Sequence, residues 1–312
     1  MILDILALAL GLAALVFAGD KLVAGAVALA ERLRISPLVI GLTIVAFGTS
    51  APELFISLEA ALGGQPGLAI GNVVGSNIAN VLLVLGAPAL ISAVRCHENG
   101  ISISNWAMIG LTAAFMAVLS TGEITRLEAF LLFAGLLAFL AYQAIAARSG
   151  RLPAPDYADE VDTAGLGKRG IAIALLIGIV GLPIGAHFTI VGASGIAERF
   201  GVSDAVIGLT VVAIGTSLPE LITTLVAAIR RTNDIAIGNV VGSNVFNIAA
   251  IMGITGMVVP IEVPAQVAGY DMWVMAGATI LLVALATFRA TIGRIGGTLM
   301  LASYAAYLIS LY

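Results

Sequence analysis

Two glutamates in near-identical surroundings are where this sequence could do chemistry. Glu53 lies in GLTIVAFGTSAPEL (Gly41 to Leu54) and Glu220 in GLTVVAIGTSLPEL (Gly208 to Leu221). Each is followed by the same nonapeptide, AIGNVVGSN, at Ala69 to Asn77 and at Ala236 to Asn244. The residue types are carboxylates, hydroxyls and amides, all of them oxygen donors. A hard cation such as calcium takes roughly six to eight oxygens of this kind. Soft ligands are scarce: the chain has two histidines, His97 and His187, and one cysteine, Cys96. Zinc and copper chemistry is therefore disfavoured, and Cys96, a lone thiol with no partner in the chain, has no inferred role.

The scaffold for these groups belongs in lipid. Of 312 residues, 60% are hydrophobic and only 10% charged, with a mean hydropathy of +1.11, far too apolar for a soluble chain of this length. Runs of the ~20 apolar residues needed to cross a hydrocarbon core lie near residues 2 to 30, 36 to 61, 67 to 92, 104 to 120 and 124 to 147. Five more lie near 170 to 197, 203 to 229, 235 to 259, 270 to 288 and 294 to 311, so ten spans are expected. The first run lacks a basic leader and a cleavage site and reads as a retained helix. With ten spans the loops form two sets. Eleven of the 14 Lys and Arg residues fall in one, Arg126 and Arg199 fall in the other, and Lys21 lies inside the first span. Basic loops stay cytoplasmic, so the expectation is a cell (inner) membrane protein with both termini outside. The net charge of −4 is small, and the acids Asp156, Asp159, Glu160 and Asp162 gather in one loop. No nucleic-acid-binding surface is visible; lipid is the expected environment and a monomer the expected unit.

Self-similarity settles the domain plan. Ile40 to Gly86 aligns without gaps on Ile207 to Gly253 at a constant offset of 167, with 26 of 47 positions identical. Five spans separate the copies, an odd number, so they enter the membrane from opposite sides. The expected fold is an all-α membrane protein of two inverted-topology five-helix repeats, residues 1–147 and 169–312, joined by a cytoplasmic linker, 148–168, that contains Pro153 and Pro155.

Both glutamates fall near the middle of their spans, where a carboxylate costs on the order of 3 kcal/mol or more. Helices 2 and 7 are expected to break at Gly48 to Ser50 and at Gly215 to Ser217, with helices 3 and 8 also broken or kinked. Ser50 with Glu53, and Ser217 with Glu220, have capping-box spacing, with Pro52 and Pro219 in the first turn. Such a break frees carbonyls that lipid cannot satisfy and a cation can. Capping alone could be placed at a water interface at little cost, so two buried boxes argue for a function beyond capping. The motif asparagines Asn72, Asn77, Asn239 and Asn244 suit bridges between helices at these breaks.

The paired motifs resemble the cation/calcium exchangers, whose two repeats read GTSxPE followed by GNxxGSN, and the likeness covers essentially the whole chain. It is strongest to compact prokaryotic sodium/calcium exchangers. The resemblance implies that ions are held by Glu53 and Glu220, by hydroxyls of Ser50, Ser217, Ser76 and Ser243, by carbonyls of Thr49, Thr216, Ala46 and Ala213, and by side chains of Asn80 and Asn247. Some members carry aspartate at one of the last two positions, whereas this chain has asparagine at both. The implied activity is sodium/calcium antiport by alternating access, with the two ions as cargo and no cofactor. A proton/calcium exchanger is the alternative. An enzyme is not expected, since the spans hold no cysteine and no serine, histidine and acid set. Glycines of the first and sixth spans (Gly11, Gly19, Gly25, Gly181, Gly185, Gly192, Gly195) allow close contact between those helices. Asp20 and Lys21 are expected to find partners or water near the end of the first span, and Glu59 could attract cations or simply be solvated.

Overall fold

The computed structural model describes residues 1–98, 100–148, 166–201 and 213–311. Helix α1 is Ile2–Leu33, and α2 is a pair, Pro37–Thr49 and Ala51–Leu62, bent by 43°. Then come α3 (Pro66–Ala89), α4 (Ile101–Leu119), α5 (Arg126–Arg148) and α6 (Lys168–Arg199). The second half holds α7 (Leu218–Ile229, after a short Ala213–Thr216), α8 (Asn233–Val258), α9 (Val267–Thr287) and α10 (Arg294–Ser310). Among the described residues seven helices are long and apolar enough to cross a membrane, eight if the bent pair counts as one span. The expected span near 203 to 229 runs into residues 202–212, which lie outside the described residues, as does most of the expected linker, 149–165. Helix α10 has 17 residues.

Large apolar side chains such as Trp106, Leu131, Trp273 and Ile280 point outward, as they must where the solvent is hydrocarbon. The spans end on charge. Arg34, Arg231 and Arg289 stand just past α1, α7 and α9 with φ of 55°, 58° and 54°. Left-handed backbone is uncommon outside glycine, but a cation there meets the negative end of the helix dipole.

Two bodies make up the interior. In one, α1 runs along α6 so closely that a methyl on Gly11 would lie 2.5 Å from the Thr189 nitrogen, and one on Gly192 would strike the Leu8 backbone. This is the small-residue contact expected of these helices; in lipid, helices associate through such packing. In the other body α8 is central and buried along its whole most apolar stretch, as is 72% of that of α3. Two short antiparallel ribbons tie the halves together: β1 (Val94–Arg95) with β4 (Thr291–Ile292), and β2 (Glu123–Ile124) with β3 (Ile261–Glu262). Val94 and Ile261 are 167 residues apart, as are Ile124 and Thr291, so the repeat spacing extends beyond the matched motifs.

Near β1 the Arg95 N–H donates to Asn233 Oδ1 at 3.2 Å, and Glu98 sits against Asp234 in the first turn of α8, with Arg95 Nε 3.7 Å from Glu98 Oε1. Burial, followed by the charge of Asp234, pushes the Glu98 carboxyl up to about 8. Burial likewise raises the Cys96 thiol to about 12, which leaves it protonated and unreactive. Because folded Glu98 holds its proton more tightly than the unfolded chain does, its contribution to stability is fully present below pH 4.5 and is lost as pH rises through about 8. Glu98→Gln should raise the thermal midpoint in detergent at pH 9 and change it little at pH 4.5. Equal shifts at both values would refute the assignment.

Candidate ion-binding site

Helix α2 starts where Ser36 Oγ accepts from the Leu38 N–H at 3.2 Å, with Pro37 in the first turn. It widens into a π turn at Gly41–Val45 and bends at Ser50, whose φ and ψ are −84° and 1°. Pro52 has no N–H for the Gly48 carbonyl, which is one cause of the bend. Ser217 repeats the conformation at −86° and 4°, with Pro219 two residues on.

The capping-box reading fails here. Neither serine caps its helix, because each bend is shallow enough that the backbone bonds continue: Ser50 N–H reaches Ala46 O at 3.0 Å and Leu54 N–H reaches Ser50 O at 3.2 Å. The Ser50 hydroxyl is therefore free to cross to the other repeat, where it donates to Glu220 Oε1 at 3.1 Å. Thr49 crosses as well, its hydroxyl 3.0 Å from Asn239 Oδ1 and 3.3 Å from Ser243 Oγ.

The motif asparagines bridge helices in matched pairs. Asn72 Nδ2 donates to Glu53 O at 3.2 Å and Ser57 Oγ at 2.9 Å; Asn239 Nδ2 donates to Glu220 O at 3.4 Å and Thr224 Oγ1 at 3.1 Å. Asn80 Nδ2 donates to Asn244 Oδ1 at 3.1 Å. Asn77 reaches the sulfur of Met275 and Asn244 that of Met108, both at 3.8 Å. Ser57 and Thr224, and likewise Met108 and Met275, differ by the repeat offset. Sequence reading passed them over, although the offset alone pairs them.

Glu53, Glu220, Thr49, Thr216, Ser50, Ser217, Ser76, Ser243, Asn80, Asn247 and Ala46 are all buried. Ala213 begins the first described stretch of the helix-7 region. Several of these residues lack protein partners. Both Glu53 oxygens, Glu220 Oε2, Ser217 Oγ, Asn80 Oδ1 and both polar atoms of Asn247 find no hydrogen bond among the described residues. Buried polar groups are nearly always satisfied, so this concentration marks a place meant for something else. Asn247 stands in the π turn Phe246–Ile251 of α8, a distortion frequent at functional sites. Elsewhere, Asp20 pairs with Arg230 and lies 3.9 Å from Lys21, Glu59 is exposed, and His187 faces outward beside Phe188.

A methyl added to Gly238 would lie 2.9 Å from Leu38 O, and one on Gly242 would lie 2.6 Å from Ala46 Cβ, so α8 is clamped on α2. The copies of Leu38 and Leu42 in the other repeat, residues 205 and 209, lie outside the described residues.

Comparison with known proteins supplies the family and a matching fold. The family described as "Sodium/calcium exchanger protein" matches residues 3–145 and 170–312. A protein of Alkalimonas amylolytica named putative antiporter CaxA is 36% identical over 303 residues, covering 95% of each chain. Sodium/calcium exchanger MaX1 of Methanosarcina acetivorans is 32% identical, covering 99% of this chain and 98% of its own. The solved structure of the sodium-calcium exchanger NCX_Mj soaked with Na+ and Sr2+ superposes with a TM-score of 0.86 at 31% identity, over 100% of this chain and 99% of that one. An integral membrane protein with paired glutamate motifs, this chain belongs to the sodium/calcium exchanger family.

Proposed function

We propose that the protein exchanges sodium for calcium across the cell (inner) membrane by alternating access, as two inverted five-helix repeats with both termini outside. The cluster of buried oxygens without protein partners around Glu53 and Glu220 carries the reading. The ligand set is that of the sequence analysis: the two glutamates, the hydroxyls of Ser50, Ser217, Ser76 and Ser243, carbonyls of Thr49, Thr216, Ala46 and Ala213, and the side chains of Asn80 and Asn247. The printed names of MaX1 and NCX_Mj, and the ions soaked into the latter, support calcium and sodium as the cargo.

Charge explains exchange rather than leak. Two carboxylates closed off together without cations are costly in a low dielectric, so the empty carrier crosses poorly. One calcium or two sodium ions cancel that charge, and any third sodium makes the loaded carrier positive. Asn80 and Asn247 add oxygen without charge.

Glu53→Gln or Glu220→Gln should cut calcium exchange on the order of 100-fold or more, the cost of removing one charge from a buried pair, while folded protein remains in the membrane. Near-normal flux in either variant refutes the site. Calcium uptake into vesicles under a sodium gradient at clamped pH separates sodium from proton coupling, and no uptake without a proton gradient would favour the proton exchanger.

Wild-type exchange should carry current under a fixed sodium gradient. Asn247→Asp should make it more dependent on pH or potassium, and Asn247→Ala should weaken sodium dependence while sparing calcium binding. Electrically silent exchange, or an aspartate variant that behaves as wild type, counts against this account.

A further inference from the structure

A cavity of about 370 Å3 opens beside α3. Asn72, Ser76 and Thr216 line its inner part, and Asp271, Tyr304 and Tyr307 also line it. Two of these, Ser76 and Thr216, belong to the proposed ligand set, so the cavity reaches the ion site. The same cavity touches Gly67 and Leu68 at the start of α3 and Leu311 just past the end of α10, the end of the bundle that the basic-residue distribution puts outside.

Asp271 is unusual in this setting. It closes the π turn Val267–Asp271 at the start of α9 and is only 6% exposed. It accepts a hydrogen bond from Tyr307 Oη at 3.2 Å, and Gln266 also bonds to it. Among the described residues no lysine, arginine or histidine forms an ion pair with it. A buried acid without a basic partner at the end of a span is costly unless something else serves it, and cations collect where a low-dielectric cleft carries one sign of charge. The repeat makes the placement one-sided. At the same offset that pairs Met108 with Met275, the counterpart of Asp271 is Ser104, which is buried and accepts from Gln143 Nε2 at 2.9 Å.

We propose that Asp271 is a cation-staging site on the cavity wall, a carboxylate that receives a sodium or calcium ion before it passes to Ser76 and Thr216. The inference rests on the exchange reading above. The contrasting role is a strut in which Asp271 merely holds α9 to α10 through Tyr307, whose ring stacks on that of Tyr270 at 6.4 Å between centroids.

Three variants separate the two roles in right-side-out vesicles. Asp271→Asn keeps an acceptor for Tyr307 but loses the charge. It should raise the KM for calcium supplied from the Asp271 side roughly tenfold, the low end of what field focusing gives. Its maximal rate and its KM from the other side should not change. Asp271→Glu should restore the wild-type KM, and Tyr307→Phe, which removes the strut and keeps the charge, should leave it within about twofold. A wild-type KM in Asp271→Asn, an equal rise from both sides, or a Tyr307→Phe variant that reproduces the effect would overturn the proposal. An exchange-independent reading comes from Mn2+ titration followed by EPR in the Glu53→Gln/Glu220→Gln double variant. It should retain a weak site that Asp271→Asn abolishes, and the absence of that site would also overturn the proposal. Wild-type vesicles that move no calcium would instead sink the exchange reading, with the Mn2+ result still deciding Asp271.

Discussion

Everything in this structure depends on keeping two carboxylates inside a bundle of apolar helices. Glu53 and Glu220 are almost completely buried, and three of their four oxygens have no hydrogen bond from the described residues. Among the described residues no lysine, arginine or histidine pairs with either. The surrounding groups, Ser50 on Glu220 and the asparagines on the Glu53 and Glu220 carbonyls, hold the glutamates in place without cancelling their charge. In the proposed mechanism cations supply the compensating charge, and that dependence couples ion occupancy to closure.

The helices around the site share one device, a proline-bearing bend across which the backbone bonding resumes within a turn. At Ser50 and Ser217 the proline-bearing turn swings the chain just far enough to send a hydroxyl sideways. A true capping box would have turned the same hydroxyl back on its own helix and taken the Ser50 donor away from Glu220. The π turns in α2, α8 and α9 shift side chains in a similar way, and two of them hold Asn247 and Asp271. Around this distorted centre the regular pair α1 and α6 meets backbone to backbone, joined to the rest of the bundle largely by apolar contact and the Asp20–Arg230 pair.

Approximate two-fold repetition of the contacts makes their departures informative. Asn72 and Asn239 make matching bonds, Asn77 and Asn244 reach matching methionines, and the ribbons exchange partners across the repeats. Against that background, Asp271, whose repeat counterpart is Ser104, sets one end of the molecule apart from the other.

Residence in lipid, the internal repeat and the two glutamates were all legible in the amino-acid sequence. Hydropathy and self-similarity are one-dimensional properties, and no folding is needed to see that Glu53 and Glu220 are copies. The asparagine bridges were legible too, since an amide at membrane depth must find a partner. Two things were not. Local spacing pointed Ser50 at its own helix, and only the neighbouring repeat drew it away. Nothing in the neighbourhood of Asp271 announces a cavity, because Ser76, Thr216 and Tyr307 come from three distant segments. In both cases the deciding neighbours lie far along the chain, and only tertiary structure brings them together.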